Sequence, residues 1–460
     1  MKEKMVQSYE EAEAFLSELP MFTKKNPLEE TRGFYEYIQG CDNKKYAEER
    51  LGKIIHIAGT NGKGSVCAFL QSVCRESGYR TGLFTSPHLM TSRERFCIDG
   101  SMISEEEFVR ALNWVSAKVE EYHQQQPDYN PTYFERLFFM GVYVFSKAGV
   151  DITILETGLG GRLDTTNVIE NPAVTVITEI GLDHMEYLGN TVEQIAFEKA
   201  GIIKPGIPVV FSDRKMQASE VIWEKAAACG CKCCPVSKND YKINEIQKKF
   251  IDFSVVSLYY DYGRLMVNTM AVYQVENAAI AIRTCEILKK DCGFDKIAVK
   301  SIKEGIRNMH WAGRMEEIVP GVYIDGAHNE DGIAAFVQSL NEASCPARIS
   351  GRDRCILIFS AVKDKQYDKM IKMLCDLRMI TDFVITHIPG ERGADLTELG
   401  NIFDKYTGKA AQKIHIYENI GDAITFSMSE RGDTGIIYIV GSLYLAGFVK
   451  KFFSDSWKRI

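Results

Sequence analysis

The chain has 460 residues, 45% of them hydrophobic, and sets 55 Lys and Arg against 62 Asp and Glu for a formal charge of −7. That length can bury a large core and suggests two or three domains, while a mildly acidic balance without long Lys or Arg runs argues against nucleic acid or an anionic membrane as partner. The start, MKEKMVQSYEEAEAFL, is acidic and lacks an apolar signal-peptide core. The longest apolar run, residues 436–449, is split by Gly441 and Ser442 and falls short of the roughly 20 residues of a spanning helix; it reads as a buried strand entering a packed helix, and the expected location is cytoplasmic.

Residues 1–52 read as helical and charged, punctuated by Asn26-Pro27 and Gly40. Next comes KIIHIAGTNGKGSVCAFLQSVCRESGY, residues 53–79, in which a short apolar strand passes through a glycine-rich turn into a helix. The backbone N–H groups of Gly59, Thr60, Asn61, Gly62, Lys63 and Gly64 can all turn inward there, and the helix N-terminus adds partial positive charge, so the loop suits a polyphosphate. Lys63 brings a full charge to the outer phosphates and Ser65 a hydroxyl within reach of Mg2+. The spacing departs from the strict P-loop, because Gly59 precedes Gly62 by three residues and Gly64 separates Lys63 from Ser65. An ordinary glycine-rich turn is the alternative.

A short strand at 79–87 ends in Thr85-Ser86-Pro87-His88, and helices are expected at about 105–122 and 132–147, the second with Glu135 among aromatics. Two buried strands follow: residues 151–156 ending in Glu156, and residues 173–180 leading into Gly181-Leu182-Asp183-His184. Ligands of an open α/β sheet bind beyond the carboxyl ends of its strands, so the phosphate loop, Glu156 and His184 converge on one place, where the two side chains suit Mg2+. Singly, Glu156 could be a strand-end cap and His184 a surface histidine. Between them residues 157–167 form a binding loop, with Gly158, Gly160 and Gly161 permitting close approach and Arg162 and Asp164 offering polar contacts. The helix expected at 191–203 turns Lys199 toward this region, unless that lysine is a solvated helix-end charge.

Of the thirteen cysteines most stand alone in apolar patterns, as buried thiols of a reducing compartment do. The cluster Cys229, Cys231, Cys233 and Cys234 lacks the second knuckle of a zinc site and reads as free thiols. From about Gly313 a second α/β unit appears, with strands expected at 322–325, 355–360, 383–386, 413–417 and 436–440. The expected fold is therefore α/β: a P-loop-type, mostly parallel N-terminal sheet with flanking helices over residues 1–312, and a smaller Rossmann-like C-terminal domain over 313–460.

Taken together these residues resemble the folylpolyglutamate synthase and dihydrofolate synthase group of the Mur ligase superfamily. The resemblance is carried by GTNGKGS at 59–65, TSPHL at 85–89, ETGLGGRLDTTN at 156–167, GLDHMEYLG at 181–189, FEKAGIIKPG at 197–206, GR at 313–314 and DGAHN at 325–329, in family order over most of the chain. It implies that Ser86, Glu156, His184 and Ser65 hold the metal, that residues 59–65 surround the phosphates, and that Lys199 is the lysine such ligases carbamylate with CO2. It further implies that Asn277 lies near the nucleotide, that Arg314 and Asp325 serve the ATP with His328 close behind, and that Thr132, Tyr133, Phe134, Glu135, Leu163, Asp164 and Thr165 contact the pterin-bearing substrate. The expected cofactors are Mg2+, with K+ as a further cation, and the carbamate on Lys199; the small-molecule partners are ATP, L-glutamate and a reduced folate or dihydropteroate, and the expected state is a monomer.

The pattern has departures. Ala271 and Tyr273 stand before Gln274 where the family usually has Gly and His, Trp311-Ala312-Gly313-Arg314 lacks the customary Pro, and Thr165 replaces an Ala common in bifunctional bacterial members. The implied chemistry is attack of the folate carboxylate on the γ-phosphate, with Lys63, Mg2+ and Arg314 stabilising the transferring group, and then capture of the acyl phosphate by the amine of glutamate. A junction near Trp311 would act as a hinge whose closure excludes water. The chain is expected to be bifunctional, with a single-activity folylpolyglutamate synthase as the alternative. A cell-wall Mur ligase would need a UDP-binding domain that 52 residues cannot supply. An ATP-binding regulatory protein would not need the DGAHN-bearing domain.

Overall fold

The computed structural model describes residues 5–457 apart from 21–25, 41–50, 248, 258, 343–352, 364, 389–391 and 408–411. Parts of the helical reading of residues 1–52 thus lie outside the described residues; within them the helices Tyr9–Ser17 and Leu28–Gly40 form. The described chain divides into two compact units, residues 1–242, 254–265 and 277–309 in the first and 243–253, 266–276 and 310–460 in the second. Two excursions, 243–253 and 266–276, therefore belong to the second unit, whereas the sequence reading kept everything before residue 313 together.

The first unit is built on an eight-stranded sheet: β1 (Lys53–Ala58), β2 (Thr81–Phe84), β3 (Phe96–Ile98), β4 (Ser101–Met102), β5 (Ile152–Glu156), β6 (Val174–Ile177), β7 (Val209–Ser212) and β8 (Cys233–Val236), in spatial order β4-β3-β2-β5-β1-β6-β7-β8. The pairs β2–β5, β5–β1, β1–β6, β6–β7 and β7–β8 run parallel, whereas β3 pairs antiparallel with both β2 and β4. Parallel strands covered on both faces are buried almost throughout, as β1, β5, β6 and β7 are. Ile54, Ile55 and Ile57 of β1 are all buried, worth roughly 2 kcal/mol each.

Helix starts obey local chemistry. Ser104 and Glu107 form a capping box for Glu105–Tyr122, as do Thr132 and Glu135 for Tyr133–Ala148, which ends on Gly149 in the left-handed region. The chain leaves β1 toward β2 on one side and later crosses to β6 on the other, so the order reverses at β1. This puts the carboxyl end of β1 between those of β5 and β6.

A small sheet not foreseen from the sequence, of order β11-β10-β9, comprises β9 (Tyr241–Ile246), β10 (Ile251–Val255) and β11 (Leu265–Val267). The second unit carries β12 (Glu316–Val319), β13 (Val322–Ile324), β14 (Cys355–Phe359), β15 (Asp382–Thr386), β16 (Lys413–Tyr417) and β17 (Ile436–Val440), ordered β12-β13-β17-β14-β15-β16 and parallel except for β12. The apolar run near the C-terminus is β17 followed by the helix Leu443–Trp457. Among the described residues no helix is long and apolar enough to cross a membrane.

Candidate active site

The loop after β1 is shaped by contacts that leave no room for side chains. A Cβ on Gly59 would lie 1.8 Å from Thr178 Oγ1, and one on Gly62, whose φ is 86°, would lie 2.3 Å from Asn277 Oδ1. Asn277 is thereby brought to the phosphate loop. The amides do not all turn inward as the sequence reading had it: Thr60 N and Asn61 N donate to the Glu179 carbonyl at 2.8 and 3.2 Å, because the loop is laced to the segment after β6. Thr60 Oγ1 and the Gly181 backbone exchange two further bonds, and Thr178 Oγ1 donates to Asn61 O at 2.7 Å. The amides left for an anion are those of the first turn of the helix Lys63–Glu76, which have no partner within the helix.

Lys63 donates to Thr60 O at 3.3 Å and stands 3.9 Å from Glu156 Oε1, while Glu156 Oε2 accepts from Ser86 N at 3.0 Å. Glu156 is buried, and the buried Ser65 Oγ has no hydrogen-bond partner. Lys63, Glu156 and Ser86 thus meet as expected. His184 is exposed, its backbone is left-handed with φ 49°, and its N–H donates to Asp183 Oδ1 at 2.9 Å. Among the described residues no group of three or more His, Cys, Asp or Glu could hold a metal ion. A cation beside Glu156 must therefore be met chiefly by hydroxyls and ligand oxygens, the kind of donor set Mg2+ takes beside a nucleotide. The orphaned Ser65 hydroxyl fits that description.

Lys199, in the helix Val192–Ala200, is no solvated helix-end charge. It is buried and donates from Nζ to Gly59 O at 2.7 Å. Burial first, and then the Lys63 charge, push its pKa down to about 7 against the opposing pull of Asp183 and Asp164.

The loop 157–167 closes on itself. Asp164 Oδ2 accepts from Gly158 N and Leu159 N at 3.0 and 2.9 Å, and Oδ1 accepts from Thr166 N and Oγ1 at 3.0 and 2.6 Å. Asp164, expected to touch substrate, has both oxygens engaged by its own loop and so shapes that loop. Glu135, also expected at the substrate, accepts from Thr132 N and Oγ1, Asn26 Nδ2 and Thr31 Oγ1, pinning the N-terminal segment. Thr132 belongs to that knot. Of the other expected contacts, Thr165 is buried, Tyr133 and Phe134 are half-buried with Phe134 against Gly158, and Leu163 presents an exposed apolar side chain. Arg162 pairs with Glu198 at 2.8 Å and lies over Phe197.

In the second unit Asp325 is fully engaged as well: Oδ2 accepts from Tyr273 Oη at 2.5 Å and Met315 N at 3.0 Å, and Oδ1 from Ala327 N at 2.8 Å. Burial raises its pKa, opposed by Arg314. Asp325, expected to serve ATP, ties the Arg314-bearing turn to the segment after β13. Tyr273, a departure from the family pattern, supplies one of the ties. Arg314 Nη1 donates to Gly313 O at 2.9 Å, and His328 Nδ1 lies 2.7 Å from Gly326 O and so carries the proton. Cys229, Cys231, Cys233 and Cys234 are free thiols.

The Mur ligase middle domain family matches residues 57–285, and the Mur ligase glutamate ligase domain family residues 313–443. The dihydrofolate synthase/folylpolyglutamate synthase of Bacillus subtilis (strain 168) is 36% identical over 423 residues, covering 90% of this chain and 94% of its own. The chain belongs to the folylpolyglutamate synthase and dihydrofolate synthase family. These are ATP-dependent ligases. The folylpolyglutamate synthase of Lacticaseibacillus casei is 33% identical over 451 residues, 96% of this chain and 98% of its own. A solved FPGS–AMPPCP complex superposes with a TM-score of 0.80 at 28% identity, over 97% of this chain and all of that one.

Several residues that shape the site escaped the sequence reading, among them Asn26, Thr31, Thr178, Glu179 and His56. Only His56 left a signal, as a lone imidazole in an otherwise apolar strand.

Proposed function

We propose that the chain adds L-glutamate to a pteroate or folate carboxylate at the expense of ATP, through an acyl phosphate, and that it accepts both acids. The observation that carries this reading is the group formed by Lys63, Glu156 and the unpartnered Ser65 hydroxyl at a helix N-terminus, with buried Lys199 bonded to the loop behind it. Lys63 and the first-turn amides would hold the outer phosphates and steady charge on the transferring group. Glu156, Ser65, Ser86 and His184 would hold Mg2+, which when bound neutralises phosphate charge. A lysine with a pKa near 7 is half neutral at neutral pH, the state in which an amine reacts with CO2, so Lys199 suits carbamylation. From the family motifs we assign Asn277, Arg314 and His328 to the nucleotide and Leu163, Tyr133 and Phe134 to the pterin-bearing acid. Asp325, Asp164, Thr165, Thr132 and Glu135 act by building those surfaces. Free thiols suit a reducing cytoplasm, and a monomer is the proposed state.

The test is ADP release with Mg-ATP and L-glutamate, run in parallel with 7,8-dihydropteroate and with tetrahydrofolate. Release with both acids is expected. Release with tetrahydrofolate alone would make it a folylpolyglutamate synthase only, and ATP turnover indifferent to both acids would overturn the proposal.

A further inference from the structure

His56 sits in the middle of β1, flanked in register by Leu155 of β5 and Thr175 of β6, and its side chain is fully buried. Its Nε2 lies 2.8 Å from Thr166 Oγ1. The Thr166 hydroxyl lies in turn 2.6 Å from Asp164 Oδ1, a carboxylate oxygen that can only accept. The single hydroxyl proton is thus committed to Asp164, and the histidine must donate through Nε2–H. That fixes the tautomer and leaves Nδ1 buried with no hydrogen-bond partner. A buried unpaired nitrogen costs stability that valine at this position would not, so packing alone does not account for the residue. Burial, with Lys204 adding to it, drives the His56 pKa down to about 3, and the ring stays neutral at working pH. It therefore acts as a fixed donor and not as an acid or base.

The bonds continue from Thr166 through Asp164 to the amides of Gly158 and Leu159, near the start of the loop that follows β5. The far end of the same loop is held separately, by Asn167 Nδ2 on Arg162 O and Gly201 O and by Lys204 Nζ on Asn167 O. We propose that His56 is a positioning residue for the acid substrate, its Nε2–H holding Thr166 and, through Asp164, the 158–165 segment in the conformation that receives the pterin-bearing acid. This rests on the proposed function, in which that segment meets the acid.

The test compares His56→Leu, His56→Gln and His56→Asn in the full chain. The glutamine amide nitrogen reaches the place of Nε2, whereas that of asparagine reaches only the place of Nδ1. His56→Leu and His56→Asn are expected to raise KM for the acid by about tenfold while KM for ATP stays within about twofold, and His56→Gln to stay within about threefold of wild type for both, since one buried hydrogen bond is at stake. Equal loss for ATP and acid, or a glutamine variant no better than leucine, would overturn the proposal. Thr166→Val, which removes the hydroxyl from the other side, is expected to match His56→Leu and to add nothing in the double variant; additive losses would also overturn it. If wild type releases no ADP with either acid, the proposed function fails and not this inference. Amide hydrogen exchange then decides: faster exchange of residues 158–166 in the leucine but not the glutamine variant supports the link, and equal exchange in all variants refutes it.

Discussion

Replacing Lys199 with methionine should make the protein more stable and inactive at once. The lysine is buried, it donates to Gly59 O, and its pKa falls from 10.5 to about 7. A folded-state pKa below the unfolded one means that the unfolded chain binds more protons between those two values, so the residue opposes folding there. The penalty is complete below pH about 7, shrinks as pH rises, and vanishes near 10.5. At about 1.4 kcal/mol per unit it amounts to roughly 4 to 5 kcal/mol at pH 7 and falls by about 1.5 kcal/mol by pH 8.5. Methionine removes the penalty at similar volume but strands the Gly59 carbonyl, a loss of about 1 to 2 kcal/mol, for a net gain of ~2 to 3 kcal/mol at pH 7. The assay is urea unfolding followed by tryptophan fluorescence in CO2-free buffer at pH 7 and 8.5. Wild type should gain stability with pH by more than the variant, and bicarbonate should stabilise wild type alone. Acid-dependent ADP release should be lost in Lys199→Met and not restored by bicarbonate. A variant no more stable than wild type, with the same pH slope, would refute the reasoning; near-native activity would remove Lys199 from the chemistry.

Glu156→Gln should raise the Mg2+ concentration needed for half-maximal ADP release by about tenfold or more, because one anionic oxygen donor is lost; an unchanged Mg2+ titration would take Glu156 out of the metal's surroundings. Asp164→Asn turns a carboxylate that accepts four bonds into an amide whose NH2 must face donors. It should cost about 3 to 5 kcal/mol of stability in urea unfolding, and a loss under about 1 kcal/mol would mean the loop does not depend on that carboxylate.

Much of this protein is legible from residues taken in order. The glycine turn after an apolar strand, the parallel-sheet runs, the capping boxes at Ser104 and Thr132 and the second α/β unit rest on interactions within a few residues, which the order of residue types records directly. The spatial order of the strands, which sets the ends of β5 and β6 on either side of β1, comes instead from pairing between segments far apart in the chain. What the order of residues could not decide is which polar groups remain for ligands and which are used up inside. Glu135 is taken by Asn26 and Thr31, Asp164 by the loop it sits in, Asp325 by Tyr273, and the Thr60 and Asn61 amides by Glu179. Lys199 meets Gly59 from 140 positions away, and His56 meets Thr166 from 110. A buried donor or acceptor must find a partner wherever the fold supplies one, and that partner is set by packing between distant segments, so only the tertiary structure separates the residues that touch substrate from those that hold them in place.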